Sequence, residues 1–287
     1  MPATVEKRIR GPKRAKRPRL TTTLLDAISD NPVEDVGEAP PGLAPDHEVP
    51  SGYKYSFPLC CQLAIHAKPV KDHPAMPAVL KSNSFANLIA TDYDEAYLDT
   101  PLFLAGKLVH SFDCSVFLKA LPEGHEGRAE WQFALGYFPV YDLKTDWRMQ
   151  HELRIPRDTG KKSTAWNLFL KWTEQYDATE SLERYVKLAL LTIAQAQYEK
   201  MGQVNMPESY TARMVATFSS DTTFAYLYEA DYPAPALISL KLFGKLDPST
   251  HWPTIKRRKI PFDPIHGLAD LLLKELQPAD APKSGRD

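Results

Sequence analysis

Hydrophobic and polar positions alternate along much of the chain with two different periods. From Tyr53 to Ala67 every odd position is apolar (Tyr53, Tyr55, Phe57, Leu59, Cys61, Leu63, Ile65, Ala67), and the even positions are mostly polar or small. That period of two predicts a half-buried strand. Pro58 lies inside it and has no amide to give a ladder, which predicts an edge or a bulge there. Ser82–Leu98 reads as a short helix capped by Ser82 or Ser84, with Phe85, Leu88 and Ile89 on one face. The apolar run Leu102–Leu118 predicts one central strand or two strands joined at Ser111–Asp113. After a loop at Pro122–Gly127 the alternation resumes at Trp131, Phe133, Leu135 and Tyr137, and Met149–Ile155 is a weaker strand closed by Pro156.

Residues 163–201 change to a helical period. Trp166, Phe169, Leu170, Trp172 and Tyr176 form one face behind a Ser163 or Thr164 cap. Leu182, Tyr185, Val186, Ala189, Leu190 and Ile193 form the next, with Gly202 where a helix stop is expected. Thr211–Phe218 and Thr222–Glu229 flank Ser219-Ser220-Asp221 as a hairpin, and Leu237–Leu246 reads as a further strand. Asp263-Pro264 opens a last helix striped by Ile265, Leu268, Leu272 and Leu276. No internal repeat is visible. The pattern predicts an α+β fold: a mainly antiparallel sheet, a packed helical pair and a C-terminal helix.

Charge changes the picture at the front of the chain. Lys7, Arg8, Arg10, Lys13, Arg14, Lys16, Arg17 and Arg19 face a single Glu6 in the first twenty residues. The next thirty hold no Lys or Arg but carry Asp26, Asp30, Glu34, Asp35, Glu38, Asp46 and Glu48. Dense like charge and few large apolar groups predict a disordered, solvated arm over residues 1–50, basic in 1–20 and acidic and Pro-rich in 21–50. A single α+β domain over 51–277 and a flexible tail over 278–287 complete the expected organisation. A basic arm addresses a polyanion, a nuclear import receptor, or both.

The net charge of −1 argues against a histone-like or heavily basic capsid protein, because nucleic-acid affinity must come from local patches. The odd set Cys60, Cys61 and Cys114 builds no disulfide framework and fits a reducing compartment. No signal peptide, membrane span or common lipid-anchor motif is read from the chain, so a membrane encounter is expected to be peripheral.

Candidate chemistry is sparse. Asp158-Thr159-Gly160-Lys161-Lys162-Ser163-Thr164 superficially resembles a phosphate loop. The pattern needs glycine at 155, which is Ile155, and Ser or Thr at 162, which is Lys162. A basic loop with a helix cap remains, in which Lys161 and Lys162 can contact a nucleic-acid phosphate or anionic lipid head group. Cys60, Cys61, His66 and His73 lie close in sequence, but adjacent strand cysteines point to opposite faces and make poor joint zinc ligands. His110 and Cys114 fall on the same side of an alternation with no Asp or Asn patterned beside them, and core packing is the default. No metal, cofactor or catalytic residue is expected. Lys256-Arg257-Arg258-Lys259, after His251-Trp252-Pro253, forms a second basic cluster, read as the second half of an import signal, a phosphate-tracking surface or a plain surface loop. Trp131, Trp147, Trp166 and Trp172 could stack on bases, though those on apolar faces read as core.

The order of features from residue 1 to about 155 resembles a rhabdovirus matrix protein. A Lys/Arg-rich, Pro-containing N-terminus precedes an aromatic strand, Tyr53-Lys54-Tyr55-Ser56-Phe57. A polar linker and short helix follow in Lys81-Ser82-Asn83-Ser84-Phe85-Ala86-Asn87-Leu88-Ile89-Ala90, and a small-residue turn, Leu104-Ala105-Gly106-Lys107-Leu108, introduces the next strand. Pro40-Pro41-Gly42-Leu43 lacks the tyrosine of the Pro-Pro-x-Tyr budding motif found in animal members. The length and two basic clusters look similar to plant-infecting members that assemble in nuclei. The resemblance implies a non-enzymatic structural protein of the virion that condenses a nucleocapsid, self-associates and bridges it to an anionic membrane surface. It also implies passage through the host nucleus. The rival expectations are a cellular nuclear nucleic-acid-binding or regulatory module and an enzyme with an unrecognised site.

Overall fold

The computed structural model of the protein describes residues 22–39, 94–97, 100–112, 114–120, 131–140, 178–201, 207–218, 221, 223–244, 252–262, 271–272 and 275. Among these, three helices are α1 (Thr22–Ser29), α2 (Ala178–Met201) and α3 (Ala234–Phe243). The strands are β1 (Val33–Glu38), β2 (Asp94–Tyr97), β3 (Thr100–Leu104), β4 (Lys107–Phe112), β5 (Ser115–Ala120), β6 (Trp131–Val140), β7 (Ser209–Phe218), β8 (Phe224–Pro233) and β9 (Ile255–Pro261). One mixed sheet runs β1-β9-β8-β7-β6-β5-β2, and β3 and β4 form a separate hairpin. Pairing is antiparallel except for β6 with β7 and β1 with β9. The fold is therefore α+β with a mainly antiparallel sheet, as the pattern predicts.

The parallel pair β6 and β7 cannot be joined by a tight turn and needs a crossover, and α2 lies within it. This helix is the centre of the molecule. Every residue from Tyr185 to Gln195 is buried, because α2 lies between β6, β7 and β8 of the sheet and β3 of the hairpin, with α1 and α3 alongside. A helix enclosed on all sides must be apolar all round or satisfy each polar group it carries. Val186, Leu188, Ala189, Leu190, Leu191, Ile193 and Ala194 meet the first condition. Gln195 meets the second by accepting from the Phe103 amide (3.1 Å) and donating to the Phe103 carbonyl (3.0 Å), which staples β3 to the helix. Thr192 donates to the Ala189 carbonyl.

Residues 237–243 belong to helix α3 and not to the strand expected over Leu237–Leu246. Its buried positions Ala234, Ala236, Leu237 and Leu240 follow a helical spacing, Pro235 sits in the first turn, and Gly244 ends it at φ 61°. A short apolar run does not carry its own period, so length and capping decide between helix and strand. The last carbonyls of α3 accept from the β3–β4 turn: Ala105 N–H bonds Leu240 O (3.0 Å) and Gly106 N–H bonds Lys241 O (2.6 Å). Both turn residues have positive φ, as a two-residue hairpin of this type requires. A side chain at Gly244 would meet the Ala105 methyl at 2.7 Å, so the close approach demands glycine there.

Two further expectations are corrected. Residues 94–97 form β2, paired with β5, and are not the end of a helix over Ser82–Leu98. Part of the expected solvated arm is folded: Thr22–Ser29 is helical and Val33–Glu38 is a strand of the main sheet. Leu25 and Ile28 explain the first, since they are buried against α2. The long apolar segment 102–118 is three strands, broken at Ala105–Gly106 and again between Phe112 and Ser115. Leu271, Leu272 and Glu275 are helical and Leu272 is buried, in keeping with the terminal helix. The expected Tyr53–Ala67 strand, Met149–Ile155 strand and first helix of the pair lie outside the described residues.

A candidate polyanion interface on the basic strand

The second basic cluster is strand β9. Successive side chains on a strand point to opposite faces, so the four cations divide two and two. Arg257 and Lys259 share the face of Ile255, which packs with α2 in the main core. Lys256 and Arg258 lie on the reverse face. Sequence reasoning left the four as half of an import signal, a phosphate-tracking surface or a plain surface loop, because nothing in Lys-Arg-Arg-Lys announces a strand. The signal lies in its ends, Ile255 and Ile260, both fully buried.

Register sets partners for three of the four cations. On β8, Glu229 lies opposite Lys256, Tyr228 opposite Arg257 and Tyr226 opposite Lys259. On β1, Glu34 lies opposite Lys256, Asp35 opposite Arg257 and Glu38 opposite Lys259. One row thus reads Arg213, Glu229, Lys256, Glu34 across four strands, alternating in sign, and Arg213 and Glu229 form an ion pair. Opposite charges facing each other across strands stabilise by about 0.2–1 kcal/mol per pair. Glu34, Asp35 and Glu38 of the acidic segment, expected to be free chain, lie on the outermost strand of this ladder.

The interactions differ in kind. Arg257 donates to Asp35 Oδ2 at 3.1 Å. That hydrogen bond holds the Asp35 carboxyl below its ordinary value of 3.8, against the opposing effect of desolvation. Burial opposes the Arg257 charge, but Asp35 and the Tyr228 hydroxyl beside it raise its pKa overall. Burial in turn pushes Tyr228 up to about 12, with Arg257 working in the opposite sense. Arg258 pairs with Glu275 of the C-terminal helical segment. Lys259 lies over the Phe224 ring, 5.7 Å from its centroid. Beside it, Tyr226 donates to Asp221 Oδ2, and burial first, then that bond, pushes the phenol up to about 12. Phe224, Tyr226, Arg257 and Lys259 therefore form a half-exposed face of rings and cations, the combination that contacts single-stranded nucleic acid elsewhere.

A second set of cations, Lys187 buried and Arg184 half-buried, anchors α1 to α2. Lys187 donates to the Ser29 and Asn31 carbonyls at 3.1 and 2.7 Å and pairs with Glu183. Arg184 donates to Ser29 Oγ (2.8 Å) and pairs with Asp30 (2.7 Å). The carbonyls at the end of a helix have no partner within it, and here cations of α2 supply one, which also suits the helix dipole. β1 starts three residues beyond Asp30 and is delivered to β9 by this clamp.

The remaining candidates sort as follows. His110 Nε2 and Tyr185 Oη are 2.9 Å apart in the core, and Cys114 is fully buried near Gly136 and Ile193, so both residues pack in the interior. Trp252 packs edge-on against Tyr232 at 5.6 Å. The arm cations Lys7 to Arg19, the loop cations Lys161 and Lys162, and Cys60, Cys61, His66, His73, Trp147, Trp166 and Trp172 lie outside the described residues. No helix among the described residues is long and apolar enough to cross a membrane. The carboxylates Glu34, Asp35, Glu38 and Glu275 and the rings Phe224 and Tyr226 were missed as partners of the basic cluster. The signal for three of them was the charge order itself: Glu34-Asp35 and Glu38 mirror Lys256-Arg257 and Lys259. No protein-family model matches this chain, and no curated protein is significantly similar to it.

Proposed function

We propose that this is a non-enzymatic assembly protein of the viral matrix type. In this reading it condenses a nucleocapsid, associates with itself and meets an anionic membrane surface, and its basic arm carries it into the nucleus. One observation carries the reading: the division of labour between the two basic clusters. On β9, Arg257 is held by Asp35, Arg258 by Glu275, and Lys259 lies over Phe224. These cations are engaged within the fold, whereas the eight of the arm have one carboxylate among them in sequence. Polyanion and import-receptor contact therefore fall first to Lys7, Arg8, Arg10, Lys13, Arg14, Lys16, Arg17 and Arg19. The arm joins the body at α1, which Arg184 and Lys187 fix in place, so whatever it captures is brought to the molecule. Anionic lipid and nucleic-acid phosphate attract such an arm through the same screened Coulomb force.

Co-sedimentation with phosphatidylserine vesicles and with RNA, at low and high salt and with or without residues 1–20, tests the proposal. Arm-dependent, salt-sensitive binding to both, together with self-association, is the expected result. Replacing Lys13, Arg14, Lys16, Arg17 and Arg19 with Ala is expected to abolish nuclear accumulation. The ring-and-cation face of β8 and β9 favours a second reading, a nuclear nucleic-acid-binding module of cellular origin. Binding to RNA alone, without self-association, would select that one.

A further inference from the structure

The geometry points to the β9 edge as a second polyanion site, for single-stranded nucleic acid, with β1 as its built-in competitor. The inference rests on the polyanion reading above and adds a site and a control to it. β1 imitates the ligand: its three carboxylates occupy the positions opposite Lys256, Arg257 and Lys259, where a bound strand would place phosphates. It is also loosely committed to the body. All its residues but Val33 are exposed, Val36 among them. Among the described residues it pairs on one side only, and its register shifts between Asp35 and Glu38. Its ion pair to Arg257 is open to solvent, with the Asp35 side chain 40% exposed. Solvent and salt screen such a pair.

Release of β1 does not require release of α1. The clamp from Arg184 and Lys187 ends at Asn31, and the first β1–β9 contact, Ile255 N–H to Pro32 O, lies just beyond it. A freed β1 therefore stays tethered beside its site at high effective concentration and returns when the competitor leaves. Nucleic acid fits the uncovered site better than lipid does. Phe224 and Tyr226, half-exposed next to Lys259, offer ring faces on which bases stack, and a lipid head group has no counterpart.

The test uses the full chain carrying Glu34→Gln, Asp35→Asn and Glu38→Gln together, titrated against a fluorescein-labelled oligouridylate over a range of salt. Affinity at low salt is expected to rise about tenfold, with the salt slope steeper by about two, since single strands lose about 0.7 per phosphate contact. Adding Lys256→Gln and Lys259→Gln should erase the gain. An unchanged affinity, or a gain that survives loss of those lysines, would overturn the proposal, as would an equal gain for phosphatidylserine vesicles. Hydrogen exchange on the unmodified protein is the second measurement. Oligouridylate is expected to speed exchange of amides 34–39 while α2 stays protected, and bound RNA with unchanged or slowed exchange there contradicts the competition. The arm-alanine protein separates the two readings. A gain from the β1 changes with no arm dependence sinks only the arm proposal, and arm dependence without that gain sinks only this one.

Discussion

The helix α2 and the strand β1 both dock on the main sheet, and they do so by opposite means. α2 is surrounded by apolar side chains, and its buried polar groups Lys187, Thr192, Gln195 and Gln197 are bonded inside the fold. β1 offers a backbone ladder, exposed carboxylates and little apolar area. Burial of a single large aliphatic side chain contributes about 1.5–3 kcal/mol, whereas an exposed ion pair contributes about 0–1 kcal/mol and weakens with salt. Attachment by charge is thus cheap to undo and sensitive to competing ions, while attachment by packing is neither. A protein that must present cations on demand gains from keeping them under the first kind of cover.

The comparison breaks most easily at α2. Leu190→Ala removes a fully buried side chain from the core and is expected to cost about 2–5 kcal/mol, read as a lower denaturation midpoint in urea with little change in RNA affinity. Lys187→Met keeps the apolar stem but leaves the Ser29 and Asn31 carbonyls without their donor. A loss of about 1–3 kcal/mol is expected, together with faster exchange in both α1 and β1, because the clamp positions both. Asp35→Asn should cost less than about 1 kcal/mol of stability. The smallest effect is a titration. Carbon-13 chemical shifts should place the Asp35 carboxyl below its ordinary value, and higher in Arg257→Gln than in the unmodified protein. The sign follows from the lowered folded value: the pair stabilises β1 above the ordinary carboxylate range and is lost as pH falls through the lowered pKa. An unshifted Asp35 would mean that Arg257 does not hold β1.

The packing half of this contrast was legible in the sequence and the charged half was not. Period-two runs at Trp131–Tyr137, Thr211–Phe218 and Thr222–Glu229 and the helical face from Leu182 to Ile193 correspond to β6, β7, β8 and α2, because burial selects side chains by periodicity. β1 is charged at three of its six positions and β9 at four of its seven, so composition pointed to solvated chain, and pairing between residues more than 200 apart leaves no local trace. α3 was read as a strand for a different reason. Its ten residues are apolar on most sides, and only Pro235 and Gly244, as start and stop, distinguish the helix. Of the candidate site, the cations were identified from sequence, but their division between two faces and their acidic partners required the register.

Native-state hydrogen exchange under increasing urea, in the absence of any polyanion, tests the central contrast most directly. Amides of residues 34–39 are expected to exchange through a local opening that is independent of urea, while those of Tyr185–Gln195 exchange only with global unfolding. Protection of β1 equal to that of α2, and lost with it in one step, would contradict the account.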